Sequence, residues 1–127
     1  MTERLLISGH TVVVYDSSPE AIERLAERGA VPSCSISHLV SQLRPVRPIW
    51  LMLPHGDPTE TTIQETQQHL SKGDIIIDGS NSYYKDTMRR AACSLRNGVS
   101  FLDIGISGGL SGLTEGYSLM VGGDVEA

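Results

Sequence analysis

The sequence predicts an α/β protein built on a parallel sheet, and three observations carry this prediction. Short β-branched runs alternate with segments of helical character along all 127 residues. The spacing between successive apolar runs suits right-handed parallel crossovers. Small and short polar residues follow the apolar runs, at the sheet edge where ligands bind in folds of this type. We therefore expect one domain, or a piece of one, with a ligand cleft at the carboxyl ends of its strands.

The first half of the chain yields one strong strand between two helices. Residues 1 to 8 read as a short helix that ends at Gly9, and residues 11 to 15 (TVVVY) as a strand buried on both faces. Pro19 stands at a first helical position, and the apolar period after it runs to Gly29. A weak strand is expected over 31 to 35 and a short helix over 37 to 43.

The second half repeats the alternation more clearly. Strands are expected over 48 to 53 (PIWLML), 74 to 78 (DIIID) and 99 to 104. Helices are expected over 59 to 70 and 82 to 97, the latter with Met88, Ala92 and Leu95 on its apolar face. Seven of the 13 glycines fall between Gly105 and Gly123, which predicts a functional loop rather than further sheet.

Composition and charge exclude several classes of function. A net charge of −5 argues against a nucleic-acid-binding protein, which normally carries a basic stripe. No apolar run approaches the ~20 residues of a membrane span, and the N-terminus lacks a signal-peptide core. Two cysteines do not make a disulfide framework, so Cys34 and Cys93 are expected to be small buried hydrophobes in a reduced, cytoplasmic protein.

Asp16 is the most informative single residue. An acid at the end of this strand of a dinucleotide-binding fold accepts hydrogen bonds from the adenosine ribose hydroxyls. It also repels a 2′-phosphate, and neither Ser17 nor Ser18 supplies a compensating cation. The pattern therefore predicts NAD in preference to NADP. The alternative is that Asp16 caps the helix that begins near Pro19, and both roles can coexist.

Two further groups of residues follow later strands. Asn81 lies in a Gly-Ser-Asn-Ser turn and could bind a ligand through its amide, or serve only as a turn residue tolerant of left-handed φ. Ser107, Gly108 and Gly109 could present backbone N–H groups to an anion, or form a flexible loop. No metal-ligand spacing links the four histidines, and neither lysine can be given a catalytic role.

Three segments closely resemble the 6-phosphogluconate dehydrogenase family. They are residues 73 to 87 (GDIIIDGSNSYYKDT), residues 101 to 123 (FLDIGISGGLSGLTEGYSLMVGG) and residues 50 to 56 (WLMLPHG). The match covers essentially the whole chain. The sister 3-hydroxyacid dehydrogenases share the SGG and MVGG elements but not the NSYYKDT stretch as written.

The resemblance implies a Rossmann-type doubly wound parallel sheet and a role for each matching residue. Asp16, Ser17 and Ser18 match the turn that reads the adenosine ribose, and Leu53, Pro54 and His55 match the loop along the cofactor. Asn81 matches the residue that touches both the nicotinamide region and the substrate. Residues 107 to 109 match the loop that holds the sugar acid. The family oxidises 6-phosphogluconate at C3 and decarboxylates it to ribulose 5-phosphate, in the pentose phosphate pathway.

The chain departs from the family pattern at both ends. The resemblance places the family's first strand and Gly-x-Gly-x-x-Gly turn before Met1, and its catalytic Lys and Asn and its helical domain beyond Ala127. Residues 1 to 127 are therefore expected to form a partial dinucleotide-binding domain with no catalytic residue and no turnover alone. Because the first strand is central in the sheet order 3-2-1-4-5-6, its loss predicts a weakly stable chain or a borrowed strand.

Three functional hypotheses follow for the parent protein. The first is a 6-phosphogluconate dehydrogenase-like oxidoreductase, a homo-oligomer by resemblance, that uses NAD and a phosphorylated sugar acid. The second is a 3-hydroxyacid dehydrogenase of the sister family. The third is a non-catalytic truncated binding module.

Overall fold

The computed structural model describes residues 1 to 123, and it confirms the predicted α/β alternation. A 3₁₀ turn, Gly109–Ser111, immediately precedes the last helix. The elements in chain order are α1 (Thr2–Ile7), β1 (Val13–Val14), α2 (Pro19–Ala26), β2 (Val31–Pro32), α3 (Ile36–Ser41), β3 (Pro48–Leu51), α4 (Asp57–Gln67), β4 (Ile75–Asp78), α5 (Tyr84–Arg96), β5 (Ser100–Ser107), α6 (Gly112–Glu115) and β6 (Ser118–Gly123).

The chain divides into two compact units. The first contains residues 1 to 43 and 107 to 118, and the second contains residues 44 to 106 and 119 to 123. The first unit holds a two-stranded parallel sheet in which Val13 pairs with Val31 and Val14 with Pro32. Its apolar core consists of four buried side chains, Val14, Ala30, Ile36 and Val40.

The second unit is built on a sheet with strand order β3-β4-β5-β6. β3, β4 and β5 run parallel, with Leu51 opposite Asp78 and Asp78 opposite Asp103. The carboxyl ends of these three strands therefore share one edge. The core of this unit is formed by seven buried aliphatic and aromatic side chains: Ile49, Leu51, Ile63, Ile76, Val99, Phe101 and Ile104.

The glycine-rich segment from Gly105 to Gly123 is not a loop throughout, so that prediction was wrong in part. It contains the 3₁₀ turn, α6 and β6. A Cβ at Gly105 would contact Met120, one at Gly122 the carbonyl of Asp103, and one at Gly123 Leu102, so β6 runs antiparallel to β5. At Gly123 that Cβ would lie 2.7 Å from a backbone carbonyl oxygen, so glycine here permits close strand approach.

Met88, Ala92 and Leu95 share one face of α5 as predicted, but this face is exposed and does not pack into the core. Met88 is 67% exposed and Leu95 is 48% exposed, whereas Arg90 is 3% and Ser94 0% exposed. The buried polar groups are paired, because Gln67 Nε2 donates to Ser94 Oγ at 2.6 Å and Arg90 forms the ion pairs described below. Satisfied polar groups can replace an apolar stripe in a helix that covers a sheet.

The two cysteines are exposed, which corrects the expectation that they are buried. Cys34 follows β2 and Cys93 lies in α5. Within residues 1 to 123, no helix combines the length and the apolar character that crossing a bilayer requires.

Candidate functional site

Asp16 is exposed in the turn that joins β1 to α2. Its Oδ1 accepts a hydrogen bond from the Ser18 N–H at 2.9 Å, and no donor among residues 1 to 123 bonds to Oδ2. Ser18 is the residue that caps α2, because its Oγ accepts from the Ala21 N–H at 3.3 Å. The carboxylate is thus oriented by one oxygen and retains the other as an acceptor for a ligand.

A second carboxylate reinforces the negative charge of this turn. Ser18 Oγ also donates to Glu20 Oε2 at 2.7 Å, and this hydrogen bond lowers the pKa of Glu20. Glu20 and Asp16 therefore flank Ser18 with two carboxylates, while Ser17 beside them is exposed and uncharged.

The segment Leu53–His55 follows β3 and is fixed at its start. The Leu53 N–H donates to Ser80 Oγ at 3.2 Å, which joins this segment to the turn after β4. The buried Thr59 hydroxyl donates to the Pro54 carbonyl at 2.8 Å. Pro54 and His55 are exposed, so the segment presents side chains and backbone to solvent from an anchored base.

Asn81 lies at the tip of the turn after β4. It is exposed and has φ of +53°, and its side-chain amide makes no hydrogen bond within the part of the chain that the structure describes. The residues on either side are held by the fully buried Asp78 carboxylate, which accepts from the Ser80 N–H at 3.0 Å and from Ser82 Oγ at 2.8 Å. A rigid turn therefore presents an uncommitted amide.

Arg90 completes this arrangement from α5. Its guanidinium donates to Asp78 Oδ2 at 3.3 Å, to Ser82 Oγ at 2.8 Å and to Glu60 Oε2 at 2.8 Å. Arg89 forms a two-bond pair with the same Glu60 carboxylate, and this pairing lowers the Glu60 pKa to about 2. Asp103 lies opposite Asp78 on the neighbouring strand β5. The pKa of Asp103 is raised mainly by burial and to a smaller extent by the negative charge of Asp78.

Ser107, Gly108 and Gly109 are exposed at the junction between β5 and the 3₁₀ turn. Gly108 has φ of +143° and Gly109 φ of +48°, which favour glycine. A Cβ at Gly108 would lie 3.0 Å from Tyr117 Cδ1, so the aromatic ring packs directly on this glycine. The first N–H groups of the following helical turns have no intrahelical acceptor and are suited to an anion.

Comparison with known proteins decides the family. The family model described as the NAD binding domain of 6-phosphogluconate dehydrogenase matches residues 1 to 127. This chain belongs to that family. Its members are oxidoreductase domains that bind a nicotinamide dinucleotide, and the predicted family is thereby confirmed.

The curated relatives agree with the family and differ in cofactor, since one from Haloferax volcanii is named NAD(+)-dependent and one from Bacillus subtilis NADP(+)-dependent. The NAD(+)-dependent decarboxylating 6-phosphogluconate dehydrogenase of Haloferax volcanii is 43% identical over 124 residues, which are 97% of this chain and 40% of that protein. The curated relatives are longer proteins, and this chain covers from about a quarter to two fifths of their length.

Two solved structures confirm the Rossmann-type fold. A Plasmodium falciparum 6-phosphogluconate dehydrogenase, solved with its cofactor NADP+ and its substrate 6-phosphogluconate, has a TM-score of 0.88 at 28% identity and covers 98% of this chain and 28% of its own. A Mycobacterium tuberculosis 3-hydroxyisobutyrate dehydrogenase has a TM-score of 0.89 at 25% identity and covers 98% and 42%.

Within this family domain, the predicted residues fall into three local groups. The turn Asp16–Ser18 and the junction 107–109 belong to the first compact unit, and Leu53–His55 and Asn81 belong to the second. The hydrogen bond from the Leu53 N–H to Ser80 Oγ joins Leu53–His55 to the turn that carries Asn81, so these two segments form one group. Two surface hollows contain none of these residues, and no cluster suited to a metal ion occurs in residues 1 to 123.

Sequence reasoning missed the residues that support Asn81. Asp78, Ser80 and Ser82 lie within the recognised segment 73 to 87 and Arg90 lies just beyond it, but none of them was assigned a supporting role. A signal was available, since an aspartate at the end of a central strand with serines two and four residues later is the pattern of a carboxylate that bonds its own turn. Arg90 carried no such signal, because its burial depends on tertiary contacts.

Proposed function

We propose that this chain is a partial dinucleotide-binding domain that binds NAD in preference to NADP. The observation that carries the proposal is the Asp16 carboxylate, oriented through Oδ1 and open at Oδ2 at the end of β1. Paired ribose hydroxyls are donors to such a carboxylate. A ribose 2′-phosphate would instead meet Asp16 together with Glu20, without an arginine or lysine in residues 16 to 18.

The remaining predicted residues are proposed to have the roles that the family resemblance implies. Leu53, Pro54 and His55 would lie along the cofactor, and Asn81 would contact both its nicotinamide region and the substrate. Ser107, Gly108 and Gly109 would receive a phosphorylated sugar acid. When bound, NAD accepts the hydride from the substrate; the protein's residues bind and orient.

We propose oxidative decarboxylation of 6-phosphogluconate to ribulose 5-phosphate as the parent enzyme's reaction, in a reduced cytoplasmic compartment. The chain alone is proposed to be inactive. The supporting observation is the residue-by-residue match around Asn81, together with curated relatives named for this reaction. Oxidation of a 3-hydroxyacid is the second candidate, favoured by the high structural similarity to a 3-hydroxyisobutyrate dehydrogenase.

The cofactor proposal is tested by titrating NAD+ and NADP+ into the chain and measuring saturation-transfer NMR, which detects weak binding. We expect NAD+ to bind roughly tenfold more tightly, equivalent to about 1.4 kcal/mol. Asp16→Asn keeps an acceptor for the Ser18 N–H but loses the negative charge. The ratio of NAD+ affinity to NADP+ affinity should therefore fall towards one. Glu27→Gln, an equal charge change at the end of α2, is the control and should leave the ratio unchanged.

Two results would overturn the cofactor proposal: tighter binding of NADP+ by the unmodified chain, or an unchanged ratio in Asp16→Asn. The substrate is tested by adding 6-phosphogluconate or 3-hydroxyisobutyrate to the NAD-loaded, ¹⁵N-labelled chain. A shift of the Asn81 side-chain amide signal with 6-phosphogluconate alone supports the first reaction. A shift with 3-hydroxyisobutyrate alone supports the second, and NAD-dependent turnover by the chain would refute its proposed inactivity.

A further inference from the structure

Cys34 and His38 form a thiol–imidazole pair that the proposed function does not use. Cys34 Sγ lies 3.4 Å from His38 Nδ1, and both side chains are exposed. We infer that Cys34 is an activated thiol that exchanges with low-molecular-weight disulfides such as oxidised glutathione.

The start of α3 fixes the geometry of the pair. Ser35 caps the helix, and its Oγ accepts from the His38 N–H at 3.1 Å. Cys34 immediately precedes that cap, so the four-residue spacing brings its side chain to the imidazole. This contact is therefore built by the local backbone and does not depend on a distant part of the chain.

The hydrogen bonds also identify which ring nitrogen faces the thiol as a base. The Cys34 N–H donates to His38 Nδ1 at 3.4 Å, so Nδ1 carries a lone pair and the neutral ring bears its hydrogen on Nε2. When the backbone N–H gives up this contact, the same lone pair can accept the thiol proton, which leaves a thiolate beside an imidazolium. The thiolate is the nucleophilic form of cysteine, and an adjacent histidine is a recognised way of generating it.

The exchange step balances without another reactant. Cys34 Sγ attacks one sulfur of the small disulfide, a new S–S bond forms to Cys34, and the original S–S bond breaks. The departing thiolate takes the proton held at His38 Nδ1 and leaves as a thiol. The protein thiol is oxidised, and one half of the small disulfide is reduced.

The position of Cys34 connects this reactivity to the cofactor, a step that rests on the proposed function. β1 and β2 are parallel with Val14 opposite Pro32, and the Ser33 N–H donates to the Val14 carbonyl at 2.9 Å. Two residues beyond that pair, Asp16 and Cys34 leave the same edge of the sheet. A glutathionyl group on Cys34 would therefore crowd the edge where Asp16 is proposed to hold the adenosine ribose, and NAD binding should weaken.

The reactivity is tested by exposing the intact chain to oxidised glutathione and following each cysteine by peptide mass spectrometry. Cys93 is an internal reference, because it is also exposed and no histidine among the described residues forms a hydrogen bond with it. We expect Cys34 to react roughly tenfold faster than Cys93 in the folded chain and at a similar rate in urea. His38→Gln should remove the advantage, and His69→Gln, a change at another exposed histidine, should not.

Equal rates at the two cysteines of the folded chain would overturn the inference, and so would a Cys34 rate unaffected by His38→Gln. Cys93→Ser and Cys34→Ser chains, each with one thiol, repeat the comparison with the Cys34–His38 pair intact and so do not depend on the folding of the histidine variant.

The link to the cofactor is tested separately by measuring NAD+ binding before and after glutathionylation of the Cys93→Ser chain. Weaker binding that is restored by a reducing agent supports the link, and unchanged binding overturns it. Absence of NAD+ binding in both forms would refute the proposed function and the link together. The reaction rates would still decide whether Cys34 is activated.

Discussion

Asn81 combines a backbone constraint with a binding proposal at one residue. Its φ of +53° lies in the left-handed region, which asparagine tolerates better than most side chains. Its flanking residues are fixed through Asp78, while its own amide makes no hydrogen bond. The conformation is thus maintained by its neighbours, and the side chain remains available to a ligand.

Two substitutions separate these roles. Asn81→Gly should leave the free energy of unfolding nearly unchanged, because glycine adopts positive φ without a steric penalty. Asn81→Ala should lower it by about 1 kcal/mol, because alanine keeps a Cβ but tolerates the left-handed φ less well than asparagine. Both should abolish the binding of 6-phosphogluconate, because both variants lack the side-chain amide. Urea unfolding and ligand titration measure the two effects, and retained 6-phosphogluconate binding in Asn81→Gly would show that the amide has no binding role.

At the scale of elements, α5 supports the turn after β4 rather than supplying an apolar face. Arg90 is buried between the Asp78 carboxylate, the Ser82 hydroxyl and Glu60. Arg89, its neighbour, bonds Glu60 and Asp86 from an exposed position. These adjacent arginines share one partner, Glu60, but only Arg90 reaches a fully buried acid.

This difference predicts very different costs for the same substitution. Arg90→Met should lower the free energy of unfolding by roughly 3–5 kcal/mol, because the buried Asp78 carboxylate loses its cation. Arg89→Met should cost no more than about 1 kcal/mol, because exposed ion pairs contribute little. Urea unfolding of both variants makes the comparison. Similar losses in the two variants would show that Glu60, and not Asp78, is the partner that matters.

At the scale of the whole molecule, the strand–helix alternation was predictable because continuous apolar runs such as residues 74 to 78 are typical of central parallel strands. β6 was missed because its glycines resemble a loop when their contacts with Phe101 and Leu102 are unknown. The α5 face was misassigned because periodicity counts apolar residues and cannot anticipate a buried arginine with charged partners.

The site was predictable to the extent that it follows strand ends. Asp16 and Asn81 could be selected because each comes directly after a strand, where parallel sheets place ligands. The supports of Asn81 could not, since Ser80 and Arg90 acquire their roles from contacts with Leu53 and Asp78 across different elements. Strand ends indicate where a side chain emerges, and tertiary contacts decide whether it is held.

The pH dependence of global stability should contain two opposing carboxylate contributions. Glu60 has a folded-state pKa of about 2, below its ordinary 4.5, so its stabilisation is complete above about 4.5 and is lost as the pH falls towards 2. Asp103 has a raised pKa, so its ionisation destabilises the folded chain. This destabilisation disappears as the pH falls and Asp103 becomes protonated.

Single substitutions should isolate the two contributions in urea unfolding between about pH 7 and about pH 3. Glu60→Gln should lower stability at neutral pH, and the loss should shrink as the pH falls below 4.5, because Glu60 then becomes protonated in the unfolded chain. Asp103→Asn should raise stability at neutral pH, because it removes a partly buried charge and its repulsion from Asp78, and the gain should vanish in acid. If the change in the free energy of unfolding caused by a substitution is the same at every pH tested, the shape of the side chain rather than its charge causes the effect.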